Sequence, residues 1–496
     1  MTSTPVVLAF DVGTSGVKGV LVDAAGDLRH SGYRAYGLET LPGGGVEQDL
    51  GDIVEALAAV SRDLAEAAAH RDWQIHSIVV TAQMFNLAAV DEHGVPVGMM
   101  LSWLDQRADR VAADLGARIE DQTAVFGCHL TAKDIVPRIE WLRQVRPDQF
   151  SRARWLLDCK EAVVMWLTGV AVIDPTGATA FRLASDDGTH WDLSRCAAAG
   201  VDPRMLPEIR SATAIAGGLR PAAAEALGLP AGTQVYVGAG DVPASQLGSG
   251  AVHPGDVHLS LGTAAYFGLV MADMAADPRG VLAPLAHVEP GRWILWLETA
   301  TGGAALAWAL RLTGLNEDGP DYSQMDRLVA EAEAGMDDLL LAPWFSGERV
   351  PLFDDSLRGV VVGLGLHHGP GHLIRAAMLG VAYQLRWSLD YSEGFGHPVR
   401  RIVAVGGGAL GTTWAQLIAD VVGRDLECLV GAQDAAAVGA AACALVGGGM
   451  QRDFDFLAER TVQTVRYRFD EAAHRGHAAA FARFTGLVDV ARQARS

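Results

Sequence analysis

The chain has 496 residues, of which 50% are hydrophobic and 20% charged; this excludes a disordered polymer and is too much chain for one ordinary core, so two domains are expected. Its 39 basic and 59 acidic residues leave a formal net charge of −20, which argues against nucleic acid or an anionic membrane as partner. One local site with a cation can still overcome that diffuse field and hold a nucleotide.

The first element is the apolar run Val6 to Phe10, which ends on Asp11. The small residues Gly13-Thr14-Ser15-Gly16 follow, then the β-branched run Val17 to Val22, which closes at Asp23-Ala-Ala-Gly26. Apolar runs joined by Gly/Ser/Asp turn chemistry predict a β-hairpin. Glycine lets backbone N–H groups approach a ligand, and such concave turns bind phosphate. An acid at the strand end beside an anion site is explained if a metal bridges the two. The P-loop sequence is absent, and Lys18 enters a strand rather than a helix.

Pro42-Gly-Gly-Gly45 predicts a loop. Asp49 or Asp52 caps a helix through about Ala69, with Ile53, Leu57, Val60 and Leu64 on one face. Strands are expected at Ile75 to Thr81 and Asn86 to Val90, helices at 105–120 and 137–145, a strand at Ala153 to Leu157 and a helix at Glu161 to Leu167. Asp174 to Gly188 reads as a polar, irregular loop. Pro221 to Leu227 is helical, and Gln234 to Ala239 is a strand running into Gly240-Asp241.

A Gly/Ser/His/Pro stretch near Gly248 to Pro254 marks a domain boundary. Beyond it, Leu259-Ser-Leu-Gly-Thr263 repeats the strand-to-Gly-Thr turn and leads into the apolar run Ala264 to Val270. Two such turns suggest a duplicated domain acting on one nucleotide. Helical periodicity returns at 301–314, 321–334, 370–395 and 412–422. Ala435 to Met450 is Ala/Gly-rich and reads as a closely packed buried helix. The last 45 residues read as a helical tail. No short-period repeat occurs, which excludes a solenoid.

The five cysteines are scattered and form no Cys-x-x-Cys pair, which argues against a disulfide framework or zinc site and for a reducing cytoplasm. The N-terminus has no charged segment followed by an apolar core, so no signal peptide is expected. Lysine is scarce: Lys18, Lys133 and Lys160 stand against 36 arginines. Lys18 follows the first phosphate turn, and Lys160 follows the apolar strand Trp155-Leu-Leu-Asp-Cys159.

From about Val7 to about Gly447 the chain resembles the FGGY carbohydrate kinases, within them the xylulokinase-like branch. The resemblance is carried by Asp11-Val-Gly-Thr-Ser-Gly-Val-Lys18, Glu47-Gln-Asp49, Trp103-Leu-Asp-Gln-Arg107, Gly238-Ala-Gly-Asp241, Ser260-Leu-Gly-Thr263, Ser346-Gly-Glu-Arg349, Gly406-Gly-Gly408 and Gly439-Ala-Ala441. Each is weak alone; their order and spacing are specific. The resemblance implies two α/β domains of the ribonuclease-H-like, actin-like ATPase type with an interdomain cleft. The boundaries read as 1–248, 249–450 and a helical tail over 451–496. It implies ATP and Mg2+ as cofactors and a small-molecule sugar or polyol as partner, and it leaves a homodimer open.

Residue by residue, the resemblance makes Asp11 the magnesium ligand, directly or through water. Asp241 becomes the catalytic base, since phosphoryl transfer needs a carboxylate that accepts the proton of the attacking hydroxyl. Thr14, Ser15, Lys18, Gly262 and Thr263 become phosphate-side groups, and Gly407 and Gly408 face the adenosine and α-phosphate. Gln83, Met84, Phe85, Asp105, Asp241 and Val242 line the sugar side. The same residue types also serve plainer ends: Asp11 as a turn aspartate, Asp241 and Asp105 as helix caps. Ser346-Gly-Glu-Arg349 is diagnostic of the family rather than catalytic, and His367-His368 reads as a loop feature.

Two positions depart from the xylulokinase pattern. Gln-Met-His-Gly is replaced by Gln83-Met84-Phe85-Asn86, and the asparagine that usually follows the base is Val242. Losing two hydrogen-bonding side chains should change which polyol is preferred. One competing motif remains: Gly406-Gly-Gly-Ala-Leu-Gly411 after the strand Arg401 to Val405, with Asp425 and Glu427 beyond, matches a dinucleotide fingerprint. Alone it would indicate an NAD-dependent dehydrogenase, but the paired Gly-Thr turns have no place in one. The sequence also admits an actin- or chaperone-like ATPase without a sugar substrate. A sugar sensor without turnover is a further reading, which the intact Asp11 and Asp241 argue against.

Overall fold

A computed structural model describes residues 4–119, 121–274, 277, 279–281, 283–299, 301–315, 322–332, 338–460 and 462–494. The chain forms two compact units, neither contiguous in sequence. The first comprises Met1–Val252, Ala272–Ile294 and Asp434–Arg460; the second comprises His253–Met271, Leu295–Gln433 and Thr461–Ser496.

The first unit is built on a six-stranded sheet in the order Ile215–Gly218, Gln234–Tyr236, Trp73–Ala82, Thr4–Val12, Gly16–Asp23, Leu28–Ala35. Thr4–Val12, Gly16–Asp23 and Leu28–Ala35 form an antiparallel meander, and Trp73–Ala82 runs parallel to Thr4–Val12 on its other side. The expected hairpin is therefore present. The expected helix is Leu50–Ala69, capped by Asp49, and Ile53, Leu57, Val60 and Leu64 are buried. Its apolar face packs into one core cluster with Leu8, Phe10, Ile78 and Val80.

The second unit repeats the plan. Trp293–Thr299, Ala265–Met271, Asp256–Leu261, Arg401–Val405, Leu426–Leu429 and Thr464–Tyr467 are successive neighbours in a sheet. Asp256–Leu261 pairs antiparallel with Ala265–Met271 and parallel with Arg401–Val405. In both units a hairpin strand thus lies beside a later parallel strand, the order of a ribonuclease-H-like domain. The expected helices appear as Gly303–Leu312, Tyr322–Glu331, Pro370–Glu393 and Thr412–Val422. Residues 321, 333 and 334 of the second expectation lie outside the described residues.

Two expectations fail for clear reasons. The segment read as an irregular loop over Asp174 to Gly188 begins with the helix Pro175–Ala180, capped by Asp174 and buried from Thr176 to Ala180. Its run of small residues has no amphipathic period because it is covered on all sides. The tail after residue 450 is not purely helical: Thr464–Tyr467 pairs antiparallel with Leu426–Leu429. Its alternation of charged and apolar residues has the period of a strand, not of a helix. No described helix is long and apolar enough to cross a membrane.

Candidate active site

Asp11 occupies the penultimate position of strand Thr4–Val12, where it sits opposite Lys18 on one neighbour and Thr81 on the other. Gly13 N–H donates to the Gly16 carbonyl at 2.9 Å and closes the turn. Gly16 is required there: a Cβ would stand 2.5 Å from the Arg34 carbonyl oxygen and from the Tyr33 hydroxyl. Lys18, expected at the phosphates, pairs with Asp434 at 3.0 Å. Thr14 accepts from the Trp103 indole at 3.0 Å through its hydroxyl and from Gln48 at 2.8 Å through its carbonyl, while Ser15 is exposed.

Asp241 opens the helix Asp241–Gly248, one position after its Gly240 cap, so it is not the N-cap. Its Oδ1 accepts from the Val242 N–H at 2.8 Å. Asp11 and Asp241 are both half-buried and keep access to solvent. Burial, then the neighbouring Asp11 charge, pushes the Asp241 carboxyl up to about 8. Burial pushes Asp11 up to about 6, with Lys18 opposing and Asp434 adding to the rise. A positive charge beside these two carboxylates would relieve both desolvation and repulsion. Asp11 and Asp241 therefore fit Mg2+ chemically.

The shift of Asp241 contributes a pH-dependent part to the stability of the protein free of nucleotide and metal. Below about 4, the ordinary carboxylate value, folded and unfolded chains are both protonated. Between about 4 and about 8 the unfolded chain loses this proton and the folded chain keeps it, so stability falls as pH rises, by up to about 1.4 kcal/mol per pH unit. Melting curves across this range for wild type and Asp241→Asn should diverge, with the variant flatter and more stable at neutral pH. Parallel curves would show that Asp241 titrates normally.

Met84, Phe85 and Asn86 form a loop between strands Trp73–Ala82 and Ala88–Val90. Met84 reaches the turn before Asp241: a Cβ on Gly240 would lie 2.4 Å from its sulfur. Gln83 donates from its backbone to Val12 at 2.8 Å and from its side chain to Gln48 at 2.7 Å. Phe85 has φ 65°, a left-handed conformation uncommon for a bulky residue. Its N–H donates to Asp158 Oδ2 at 2.7 Å and its carbonyl accepts from Arg138, which also donates to Trp103 O at 2.8 Å. Asp158 Oδ1 further accepts from the Asn86 N–H and Nδ2, each at 3.0 Å. A buried acid and a buried arginine thus fix the 84–86 loop, largely by its backbone.

Asp105, expected as a sugar contact, spends both oxygens on the protein. Oδ2 accepts from the Val46 N–H at 2.9 Å, and Arg107 reaches both oxygens through Nε at 3.0 and 3.2 Å. Nor is it a helix cap, since the next helix starts at Asp109. Arg107 also binds Glu47, which binds Arg146, and both arginines lie over the Trp141 ring. The motifs around 47 and 103–107 are therefore one ion network supporting the loop. Behind it, Lys160 pairs with Glu161 at 2.7 Å and Asp174 at 3.1 Å, all three buried. Burial opposes the lysine charge, but the two carboxylates outweigh it and hold Lys160 above the usual lysine range.

Within the second unit, Ser260 is in register with Val405, so Gly262-Thr263 and Gly406-Gly407-Gly408 emerge from adjacent strand ends. Gly262 and Thr263 are exposed. Their carbonyls accept from the first turn of helix Gly303–Leu312: Gly303 N to Gly262 O at 2.7 Å, Ala304 N to Thr263 O at 3.0 Å. Gly406 has φ 96° and packs on Leu261, whereas a side chain at Gly407 would meet open space. The acids that would hold a ribose in a dinucleotide site are engaged elsewhere: Glu427 by Arg401 and Arg466, Asp425 by the Phe469 N–H.

The sequence matches the N-terminal domain of the FGGY family of carbohydrate kinases over residues 6–248 and its C-terminal domain over 257–448. The chain belongs to that family. It is 28% identical to a xylulose kinase of Lactococcus lactis subsp. lactis (strain IL1403), covering 93% of this chain and 91% of that one. It is 26% identical to a gluconokinase of Bacillus subtilis (strain 168), covering 94% and 92%. Among solved structures, a xylulose kinase from Rhodospirillum rubrum matches with TM-score 0.89 and 28% identity over 98% of each chain. Glycerol kinase from Plasmodium falciparum with ADP matches with TM-score 0.87 at 19% identity over 98% of each chain, a likeness of fold alone. The FGGY kinases are phosphotransferases that use ATP as phosphoryl donor, so the Gly-x-Gly-x-x-Gly run at 406–411 belongs to a kinase and not to a dehydrogenase.

Asp158, Arg138 and Asp434 are functional-site neighbours that the sequence did not disclose. Asp158 had a signal: like Asp11, it ends an apolar strand, here Trp155–Leu157. Arg138 had none, since an arginine inside a helical pattern reads as solvated surface, yet it is 1% exposed.

Proposed function

We propose that this FGGY kinase phosphorylates a hydroxyl of a ketopentose or related polyol, with a xylulokinase-like chemistry and an altered sugar pocket. The observation that carries the reading is the pair Asp11 and Asp241 within one unit, both with raised proton affinity and the charge of Asp11 adding to the rise at Asp241. Asp241 takes the proton of the attacking hydroxyl; a base with a pKa near the working pH is best suited to that task. Asp11 would hold magnesium, which when bound neutralises charge on the phosphates. Thr14 and Ser15, with Gly262, Thr263, Gly407 and Gly408 of the second unit, would supply N–H and hydroxyl donors to the nucleotide. Lys18 acts there in concert with Asp434. Asp105 acts through Arg107 rather than on the sugar.

Gln83, Met84, Phe85 and Val242 would face the sugar. Phe85 and Val242 offer no side-chain hydrogen bond, so a substrate with fewer or differently placed hydroxyls than D-xylulose, such as a deoxy-ketose, is favoured. A panel of ketoses, deoxy-ketoses and tetritols in a coupled ADP-release assay tests both levels. Sugar-dependent ADP release is expected, with a deoxy-ketose ahead of D-xylulose in kcat/KM. ATP turnover indifferent to every sugar would favour a chaperone-like ATPase instead. The double variant Phe85→His, Val242→Asn should shift the preference toward D-xylulose by about 10- to 100-fold, the worth of one or two recovered hydrogen bonds. Histidine is also better suited than phenylalanine to the left-handed backbone at 85.

A further inference from the structure

We infer that the first unit carries a small-oxyanion site around Arg182, separate from the groups assigned to phosphoryl transfer. Arg182 follows the buried helix Pro175–Ala180 and is itself 7% exposed. Among the described residues its guanidinium meets one acceptor, the Pro284 carbonyl at 3.3 Å, and its buried Nε meets none. It forms part of the wall of a cavity of about 230 Å³, together with Arg195, Asp186 and Asp277.

An enclosed guanidinium without a carboxylate is costly, because it loses water and gains no counter-charge. The acids in the wall do not supply one. Asp186 is engaged by Arg195 at 2.5 Å and is half exposed. Asp277 caps its own turn, accepting from the N–H groups of Arg279 at 2.9 Å and Val281 at 3.0 Å. The planar fork of arginine matches an oxyanion in two-point geometry. The volume narrows the ligand: it exceeds the space of one water, about 30 Å³, and falls below the usual range for drug-sized and cofactor ligands, about 300–1,000 Å³. Phosphate or a small carboxylate fits. None of the residues assigned to sugar, nucleotide or metal lines the cavity. Thr176, whose hydroxyl accepts from the Gly240 N–H at 3.3 Å, lies in the helix Pro175–Ala180 that leads into Arg182.

The test uses binding, so it does not depend on the kinase reading. Wild-type protein is labelled with phenylglyoxal, an arginine reagent, and modification at Arg182 is followed by peptide mass spectrometry with inorganic phosphate, with acetate, or with chloride at equal ionic strength. Labelling should slow about tenfold at ten times the dissociation constant of the ligand, as occupancy dictates. Protection by phosphate alone or by acetate alone identifies which oxyanion is taken. Melting curves of Arg182→Gln and Arg195→Ala provide a second readout: the anion should raise the melting temperature of wild type and lose that effect in Arg182→Gln. Equal labelling under all three conditions, or an anion shift retained in Arg182→Gln, would overturn the proposal and leave a water-filled cavity.

Discussion

Replacing Asp241 by asparagine is expected to lower kcat by about 10²- to 10⁴-fold, the usual share of a general base, while leaving the protein folded. Asparagine keeps the size of the side chain and an oxygen for the Val242 N–H, so the start of helix Asp241–Gly248 should be undisturbed. What it removes is the one function that a neutral amide cannot perform, accepting a proton from the attacking hydroxyl. The KM for ATP should change little if the phosphates are held by other groups. Stability should rise at neutral pH, because a carboxyl pushed up to about 8 by burial is replaced by a group that needs no ionisation. Lost activity with gained stability is the signature of a residue retained for chemistry. A loss smaller than about tenfold would place Asp241 among ordinary helix-start acids, for which proton transfer carries no such share.

The legible parts of the site were those set by backbone chemistry. Glycine and small polar residues after an apolar strand can only turn, and a carboxylate left at the end of such a strand points to a ligand. That logic located Asp11, Gly262 and Gly406 at or beside strand ends; the strand expected to run from Gln234 to Ala239 stops at Tyr236, and Asp241 opens the helix beyond it. The same logic could not distinguish a carboxylate that awaits a ligand from one the protein consumes. Asp105 looked like the first kind and is the second, because Val46 and, through the neighbouring Arg107, Glu47 come from a distant chain segment. The same long-range dependence concealed the clamp on Phe85. Its anchors Arg138 and Asp158 are 53 and 73 residues away in sequence. The helix Pro175–Ala180 escapes a periodicity reading because periodicity reports only half-buried elements, and this one is buried throughout most of its length. The strand Thr464–Tyr467 escapes it when a helical period is assigned to a pattern of period two.

The close packing of helix Asp241–Gly248 on helix Ala435–Gly447 yields the second large expected effect. The crossing is reciprocal: a Cβ on Gly439 would stand 1.8 Å from the Ala244 carbonyl oxygen, and a Cβ on Gly248 would stand 1.8 Å from the Ala435 carbonyl oxygen. Each clash is with backbone, so no rotamer change relieves it and the helices must separate. Alanine is worth about 1 kcal/mol more than glycine in a helix interior, but overpacking typically costs about 1–3 kcal/mol and more against rigid backbone. Gly439→Ala should therefore lose stability on balance, and Gly439→Leu by about 3 kcal/mol or more, read as a fall in the urea midpoint. Gly486 is the control: it lies within helix Ala478–Gln493 and a Cβ there meets nothing. Gly486→Ala should stabilise by about 0.5–1 kcal/mol. Because the crossing also sets where Asp241 begins its helix, Gly439→Ala should lower kcat in protein that remains folded, whereas Gly486→Ala should not. If Gly439→Ala matched Gly486→Ala in both midpoint and rate, the glycine of the Gly439-Ala-Ala441 motif would have no role in seating the base.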